Sequence, residues 1–267
     1  MTEMTDIPIA ATVIVSTYNS PKFLKATLQS IADQSRLPEE VVVADDGSDG
    51  RTRSIVDEAR SIYPFKIIHS WQPDSGFRLS RSRNLGFLRS TGSLILFVDG
   101  DCILPPNFIK NQCRLTERNA LIFSGRKLAT RVETERILAD WECNNTSRNI
   151  FRGIKFMTFP LGIFRRYPRR GWRHWRGFAM SIQRHLFRAT CGFDESYCSW
   201  GYEDSDLGVR AERAGGYFKD GRYSAAVFHL FHDEPNAGEK SNNTSLFEGL
   251  LRESDRITPK KSALSCL

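Results

Sequence analysis

Two carboxylates close a strongly apolar stretch near the middle of the chain. The run 94–98 is entirely aliphatic or aromatic, and Asp99 and Asp101 follow it with Gly100 between them. On an extended backbone residues i and i+2 share a face, so both carboxylates can point the same way. Neighbouring negative charges repel unless a cation lies between them, and Mg²⁺ or Mn²⁺ is the usual one. The alternative is an acidic turn that caps a helix starting at Pro105.

Polar groups also close two earlier apolar runs. Thr17, Tyr18 and Asn19 end the β-branched run that starts at residue 11, and Asp45 and Asp46 end the run 41–44. Such a set suits a nucleotide, because a carboxylate can accept a uracil N–H, a ring can stack on the base and a metal can bridge the phosphates. Taken singly, the second segment is typical of a plain turn. Its recurrence at three strand ends favours a ligand site.

A further acidic segment lies in the C-terminal half. Trp200 and Gly201 precede Glu203, Asp204 and Asp206, which open a helical pattern. Acids stabilise a helix N-terminus through capping and the macrodipole, but three acids exceed what capping requires. One of them can act as a general base, and a neighbouring aromatic ring offers a ligand a flat apolar face.

Two histidines, His229 and His232, lie in the last apolar run, 225–232. Side chains three apart on a strand face opposite sides, so both cannot bind one metal unless the strand ends between them. Such a pair is more often structural or solvent-facing. A histidine joined to carboxylates suits Mn²⁺ rather than Ca²⁺.

The elements that carry these groups alternate between strands and helices. Apolar runs at 11–17, 40–44, 65–69 and 94–98 alternate with helical patterns of about 10–15 residues, which predicts an α/β fold with a mostly parallel, doubly wound sheet flanked by helices. Ligands then bind at the carboxyl ends of the strands. The remaining elements are predicted as strands at 121–125, 177–182 and 225–232, a helix at 245–254 and a ragged basic tail at 258–267.

The composition favours an anionic partner. The 267 residues carry a net charge of +7, which suits nucleotides, phosphorylated lipids, membrane surfaces or nucleic acid. The six cysteines include no Cys-x-x-Cys pair, which indicates reduced thiols. A polar N-terminus and the lack of a run of transmembrane length predict a cytoplasmic protein that can lie peripherally on an anionic inner membrane.

Residues 9–130 resemble the family-2 glycosyltransferases of the GT-A fold, and the motifs at 13–19, 41–48, 76–84 and 97–101 carry the resemblance. The resemblance implies a UDP-linked sugar donor, with Asp45, together with Asp46, at the uracil. It also implies that Asp101, and Asp99 directly or through water, hold Mn²⁺ or Mg²⁺ on the diphosphate.

The same resemblance implies further donor contacts. Arg78 and Arg83 match as donor-side cations, since arginine forks fit phosphate oxygens, although each could equally belong to a solvated helix face. Thr17, Tyr18 and Asn19 complete the predicted donor site.

The C-terminal segment is similar to that of β1,4-galactosyltransferases and bacterial chondroitin-type polymerases, whose Trp-Gly…Glu-Asp-x-Asp element matches the segment starting at Trp200. The match implies that Asp204 is the catalytic base, that Glu203 contacts acceptor or donor, and that Trp200, beside Gly201, stacks on a sugar. Tyr202 stands where a glycine is common, which puts the shape of the acceptor pocket in doubt.

In the same families a histidine at the end of the last strand completes the metal site. This implies a metal-ligand role for His229, and His232 is a candidate for binding phosphate.

The segment 165–176 packs six arginines among three aromatic residues. Its arginines could bind phosphates and its rings could stack on the sugars or bases of an acceptor. The segment could equally lie on an anionic membrane. With Trp172 and Trp175 taken as exposed, we expect a mobile loop that faces the acceptor or a membrane.

The sequence thus predicts a metal-dependent, inverting glycosyltransferase that moves a hexose-type sugar from a UDP-sugar to a polysaccharide or lipid-linked glycan. Residues 1–130 would form the nucleotide-sugar-binding half, 131–257 the acceptor-binding and catalytic half of the same domain, and 258–267 a tail.

Two alternatives stay open at this stage. A nucleotidyltransferase of similar fold would need a Gly-rich, Lys-bearing loop after the first strand, and the sequence has none. A non-catalytic basic protein that binds nucleic acid would leave the acidic strand ends unexplained, because they repel phosphate. No nucleic-acid partner is therefore expected.

Overall fold

The computed structural model of the chain describes residues 9–142, 166, 171–233 and 240–266. Over these residues no helix has both the length and the apolar character needed to cross a bilayer.

A seven-stranded sheet forms the centre of the described structure. Its strands, in chain order, are β1 (Ala11–Thr17), β2 (Glu40–Asp45), β3 (Lys66–Trp71), β4 (Leu94–Asp99), β6 (Ala120–Phe123), β8 (Ala179–Gln183) and β9 (Tyr217–Asp220). Their spatial order is β3-β2-β1-β4-β8-β6-β9, and only β8 runs antiparallel to its neighbours. A second, three-stranded sheet joins β5 (Cys102–Ile103), β10 (Val227–His229) and β7 (Arg126–Leu128).

Helices cover both faces of the central sheet. They are α1 (Pro21–Ala32), α2 (Gly50–Ile62), α3 (Leu79–Leu88), α4 (Phe108–Leu115), α5 (Arg131–Glu142), α6 (Arg184–Ala189), α7 (Glu203–Arg213) and α8 (Lys240–Arg252). Alternate residues of β1 face opposite layers: Val13 packs in the cluster that contains Leu28 of α1, and Ile14 in the cluster that contains Phe87 of α3 and Leu207 of α7. The predicted α/β fold with a mostly parallel sheet is confirmed.

The sheet register brings the polar strand ends together. Along β1, Ser16 pairs with Asp99 of β4 and Thr17 pairs with Asp45 of β2. Because these strands are parallel, their carboxyl ends open on the same rim of the sheet.

The last strand is shorter than predicted. It ends at His229, and the next amide, Leu230 N–H, donates to the carbonyl of Asp101 at 2.9 Å. His232 therefore lies beyond the strand, and the alternation that would separate the two histidines stops before it.

The expected ragged tail is instead bound to the domain. The backbone N–H of Lys260 donates to Asp194 at 2.7 Å, and that of Ala263 donates to Glu195 at 2.8 Å. Leu264 is only 6% exposed and packs in the core with α3. Burial of this leucine and the two carboxylate contacts hold the segment in place.

The basic segment 165–176 was expected to be an exposed loop. Its residues 165 and 167–170 lie outside the described part of the chain. Trp175, expected to be exposed, has no accessible surface and packs edge-on against Phe218 at 5.5 Å. Trp172 is half-buried against Phe247. These two rings are core anchors, because the apolar area that they bury outweighs any contact with solvent.

The acidic cluster of α7 divides between site and core. Asp206 and Arg210 are completely buried and pair at 2.5 Å, and the hydroxyl of Tyr197 donates to the same carboxylate at 3.3 Å. Asp206 therefore neutralises a buried arginine, which explains why this helix has more acids than capping requires.

We expect Asp206→Asn to lower the free energy of unfolding by about 3–5 kcal/mol, because it leaves Arg210 buried without its counter-charge. Urea unfolding measures this loss. The matched control is Asp57→Asn, which removes an acid from an exposed ion pair and should cost no more than about 1 kcal/mol. Equal losses for the two variants would contradict this role for Asp206.

Candidate active site

A buried arginine connects the acids of the sheet rim. Arg83 of α3 is 1% exposed, and its guanidinium donates to Asp99 at 2.8 Å, to Ser16 Oγ at 3.0 Å and to the carbonyl of Gly177 at 3.0 Å. Its third nitrogen lies 3.5 Å from Glu203 Oε1. Burying an unpaired guanidinium would strongly destabilise the folded state. Arg83 is therefore held where all of these partners can bind it. The predicted donor-side cation thus spans the strand ends and the start of α7.

Glu203 is buried beside Arg83, and one of its two carboxylate oxygens lacks a hydrogen bond to the described residues. It is 7% exposed, and within the described residues its Oε2 has no hydrogen-bond partner. Burial raises the pKa of its carboxyl to about 7, the charge of Asp204 acts in the same direction, and Arg83 opposes both. Glu203 can therefore hold or release a proton near neutral pH.

Asp204 lies next to this group at the first turn of α7. One carboxylate oxygen accepts the N–H of Gly177 at 2.8 Å, and the other accepts the N–H of Ser205 at 2.5 Å. Gly177 donates to Asp204 through its N–H and accepts from Arg83 through its carbonyl. This glycine therefore links the predicted base to the arginine that holds Asp99.

The Trp200–Tyr202 turn presents aromatic surface above α7. Trp200 is 62% exposed. Tyr202 has a φ of +72°, the left-handed region that favours glycine, which gives a physical reason for a glycine at this position. Tyr202 tolerates this conformation while its ring stacks on Phe247 of α8 at 5.0 Å. Asn243 of α8 donates to the carbonyl of Gly201 at 2.9 Å, so α8 holds the turn.

Asp101 faces both histidines. His229 Nε2 lies 3.5 Å from Asp101 Oδ1, and His232 Nε2 lies 3.1 Å from Asp101 Oδ2. Each ring directs its Nδ1 at a backbone carbonyl, that of Leu230 at 3.0 Å and that of Asp233 at 3.2 Å. When such a ring is neutral, Nδ1–H donation to the carbonyl leaves Nε2 as the lone-pair nitrogen, the arrangement usual in metal-binding histidines.

These distances fit a shared cation. Ligands at about 2.1 Å from one ion lie about 3.0 Å apart in an octahedron and about 3.4 Å apart in a tetrahedron. Burial alone would raise the pKa of Asp101, but a hydrogen bond from His232 and the positive charge of the two histidines when protonated hold it below its usual range. Asp99 instead accepts a hydrogen bond from Arg83 at its Oδ1. Of the two predicted carboxylates, Asp101 is therefore the one that faces the histidines.

Asp45 and Asp46 already have protein partners. Asp45 is completely buried, accepts the N–H of Ser48 at 2.8 Å and lies 2.8 Å from His69 Nε2. Asp46 is 6% exposed and accepts the backbone N–H of Arg78 at 2.7 Å. Burial raises the pKa of Asp46, whereas contacts with His69 and Ser48 outweigh burial at Asp45 and hold its pKa below its usual range. Asp45 orders its own loop, and Asp46 fixes the start of α3.

Aromatic rings flank this edge. Tyr18 is 50% exposed and its hydroxyl donates to Asp74 at 2.9 Å. Trp71, which ends β3, is 47% exposed and donates its indole N–H to the carbonyl of Ser48 at 3.1 Å. Trp71 was not among the predicted site residues, although an aromatic residue two positions after the third apolar run was the available signal.

The other predicted donor contacts lie along the same edge. Thr17 Oγ1 and Arg78 Nε are buried and, within the described part of the chain, have no hydrogen-bond partner. Asn19 accepts the N–H of Asp49 at 3.0 Å and thereby ties the end of β1 to the loop after β2.

Family comparisons agree with this arrangement. The model described as Glycosyl transferase family 2 matches residues 12–172, and the model described as N-terminal domain of galactosyltransferase matches residues 163–233. Since the first covers more than half of the sequence, the chain belongs to glycosyl transferase family 2, as its motifs predicted. Membership sets aside the nucleotidyltransferase and the non-catalytic nucleic-acid-binding protein.

Individual proteins show the same relationship. The chain is 26% identical over 254 residues to a chondroitin synthase of Escherichia coli, an alignment that covers 86% of this chain but 36% of the relative. The chain thus spans about a third of that protein's length.

Solved structures share the fold. Staphylococcus aureus TarS 1–349 in complex with UDP-GlcNAc superposes with a TM-score of 0.66 at 20% identity, over 92% of this chain and 65% of that TarS fragment. The mannosyltransferase PcManGT from Pyrobaculum calidifontis, in complex with GDP-Man and Mn²⁺, gives 0.55 at 17% identity, over 86% and 58%. The fold is therefore of the GT-A type.

Glu203 gives a prediction in pH. Its folded pKa of about 7 lies above the ordinary 4.5, so between these values the native state binds more protons than the unfolded state. Stability should therefore fall as the pH rises from about 4.5 to about 7.5, by about 3 kcal/mol relative to Glu203→Gln. Urea unfolding of both proteins in the presence of a chelator measures the difference.

The control is Glu58→Gln, at an exposed glutamate of α2, which should track the unmodified protein across the range. A constant difference between the native protein and Glu203→Gln would contradict a raised pKa at Glu203.

Proposed function

We propose that this chain is a metal-dependent, inverting glycosyltransferase that moves a hexose-type sugar from a UDP-sugar to a saccharide acceptor. One observation carries the proposal: Arg83 joins Asp99 on the strand rim to Glu203 at the start of α7, beside Asp204. Through its two ion pairs, Arg83 connects Asp99, predicted to act at the metal, to Glu203, the neighbour of the predicted base Asp204.

Asp204 is the proposed general base. Two backbone N–H groups fix its carboxylate, so it can take the proton of an acceptor hydroxyl without reorienting. The hydroxyl then attacks the anomeric carbon from the face opposite the leaving diphosphate, which inverts the configuration. Glu203, whose buried Oε2 has no hydrogen-bond partner within the described residues, is our candidate for a contact with acceptor or donor, and Trp200 offers its exposed ring to a sugar face.

Asp101 and His229 are the proposed metal ligands, with Asp99 acting through water because Arg83 already holds one of its oxygens. A divalent ion bound there would neutralise the charge that grows on the departing diphosphate. His232 lies beside this position and is our candidate for a phosphate contact. The Mn²⁺ complex of PcManGT supports a metal in this fold.

The donor base is proposed to bind at the carboxyl ends of β1 to β3. Tyr18 and Trp71 supply exposed rings, and Thr17, Asn19 and Asp46 supply polar groups, with Asp45 behind them and Arg78 alongside. The TarS complex with UDP-GlcNAc supports a UDP-linked donor, and the chondroitin synthase relative supports a saccharide acceptor. Cytoplasmic location and contact with an anionic membrane stay predictions of the sequence.

The activity is tested by UDP release from a panel of UDP-hexoses with Mn²⁺, with oligosaccharide acceptors present and absent. We expect release to rise with one donor and acceptor and to stop with EDTA, since metal stabilises the leaving diphosphate. The matching GDP-sugars are the control. Release that is indifferent to chelator, or faster with GDP-sugars, would contradict the metal or the donor assignment respectively.

Asp204→Asn should lower kcat by at least about 100-fold, because an amide cannot accept the hydroxyl proton. Calorimetry should show UDP affinity within about twofold of the unmodified protein, since a loss of the base alone leaves ground-state binding intact. The control on the same helix is Glu212→Gln, in the last turn of α7. Turnover of Asp204→Asn equal to that of Glu212→Gln would remove Asp204 from the base role.

A further inference from the structure

A thiol lies inside the proposed metal site. A carboxylate oxygen of Asp101, the Sγ of Cys102 and a ring nitrogen of His229 all lie within 4.8 Å of one another. The sheet itself produces this juxtaposition, because Cys102 of β5 pairs directly with His229 of β10. Directly opposed residues of an antiparallel pair project to the same face.

The spacing is that of ligands on a four-coordinate ion. Zinc–sulfur bonds of about 2.3 Å and zinc–oxygen bonds of about 2.0 Å place sulfur and oxygen about 3.5 Å apart across a tetrahedral angle. In the structure Cys102 Sγ lies 3.5 Å from Asp101 Oδ1, and His229 Nε2 lies 3.5 Å from the same oxygen. Both separations exceed the roughly 3.0 Å edge of an octahedral magnesium site.

The donor types favour the same class of ion. Sulfur, imidazole nitrogen and carboxylate oxygen together suit Zn²⁺ or Co²⁺, whereas Mg²⁺ and Mn²⁺ prefer oxygen ligands. Cys102 is completely buried, and Asp101 and His229 have side chains 19% and 14% exposed, so an ion would enter from their side.

We propose that Cys102 is a third protein ligand beside Asp101 and His229, and that this triad binds Zn²⁺ or Co²⁺ in preference to Mn²⁺. One position of a four-coordinate ion then stays open to a group from outside the triad. The inference rests on the proposed function for the location of the metal, and it adds a sulfur ligand and therefore a different order of metal preference.

The competing role for Cys102 is that of a buried thiol that only donates a weak S–H···O hydrogen bond to Asp101. The two roles differ in cobalt spectroscopy, because a thiolate bound to Co²⁺ gives a sulfur-to-metal charge-transfer band in the near ultraviolet and a hydrogen-bonded thiol gives none. The experiment therefore needs no turnover.

Co²⁺ is titrated into the full chain carrying Cys198→Ser, which removes an exposed thiol that could bind the ion by itself. We expect the charge-transfer band together with intense visible bands of tetrahedral Co²⁺. Adding Cys102→Ser should abolish the charge-transfer band and weaken Zn²⁺ binding by at least about tenfold, measured by competition with a chelating indicator. Mn²⁺ affinity, measured by electron paramagnetic resonance, should change by less than about twofold, because Mn²⁺ gains little from sulfur.

Cys113→Ser is the matched control, since Cys113 on α4 is also buried but does not belong to the cluster of ligand atoms that Asp101, Cys102 and His229 form. It should leave the cobalt spectrum and the Zn²⁺ affinity unchanged. Cys102→Ala serves if the serine variant does not keep the native circular dichroism and thermal transition.

The outcomes separate this inference from the proposed function. Absence of the charge-transfer band at saturating Co²⁺ in the parent protein, or its persistence in Cys102→Ser, would overturn the sulfur ligand. In either case, Co²⁺ binding that still depends on His229 would leave the metal of the proposed function in place. Absence of UDP-sugar turnover in a protein that shows the cobalt band would instead count against the proposed function and leave the sulfur ligand in place.

Discussion

The whole site depends on a cation that is almost completely buried. Arg83 is 1% exposed, and a guanidinium at that depth is stable only when negative charge surrounds it. Asp99 supplies that charge from the end of β4 and Glu203 supplies it from the start of α7. Arg83 in turn reduces the repulsion between these carboxylates and the neighbouring acids, because it lies between them. The end of β4 and the start of α7 therefore depend on the same arginine for their positions.

This mutual dependence divides the acids of the rim by role. Asp99 is committed to Arg83, which leaves Asp101 to face His229 and His232. Over the described residues, Glu203 keeps one oxygen without a hydrogen-bond partner, and burial raises its pKa to about 7. Residues of one chemical type thus differ in function according to which cation each of them meets.

The sequence also identified elements whose roles only packing could settle. The alternation of apolar runs and helical patterns predicted the parallel sheet, because burial on both faces leaves no other arrangement for such strands. It did not predict that Trp175 is buried or that the tail segment holding Leu264 is fixed to the domain. Both depend on partners distant in the chain, and a local pattern carries no record of such partners. Trp71 differs from these two residues, because its place just beyond the third apolar run was a local signal in the sequence.

By itself the sequence determined the order of the first four strands, the polar groups that close three of them and the acidic start of α7, because these follow from local periodicity and spacing. Only the tertiary structure decided which charges meet. The end of β10 at His229 brings two histidines to one carboxylate, and the pairing of β5 with β10 adds the thiol of Cys102. The physical reason is that electrostatic interactions fall off with distance in space and not with distance along the chain, so the fold assigns the partners.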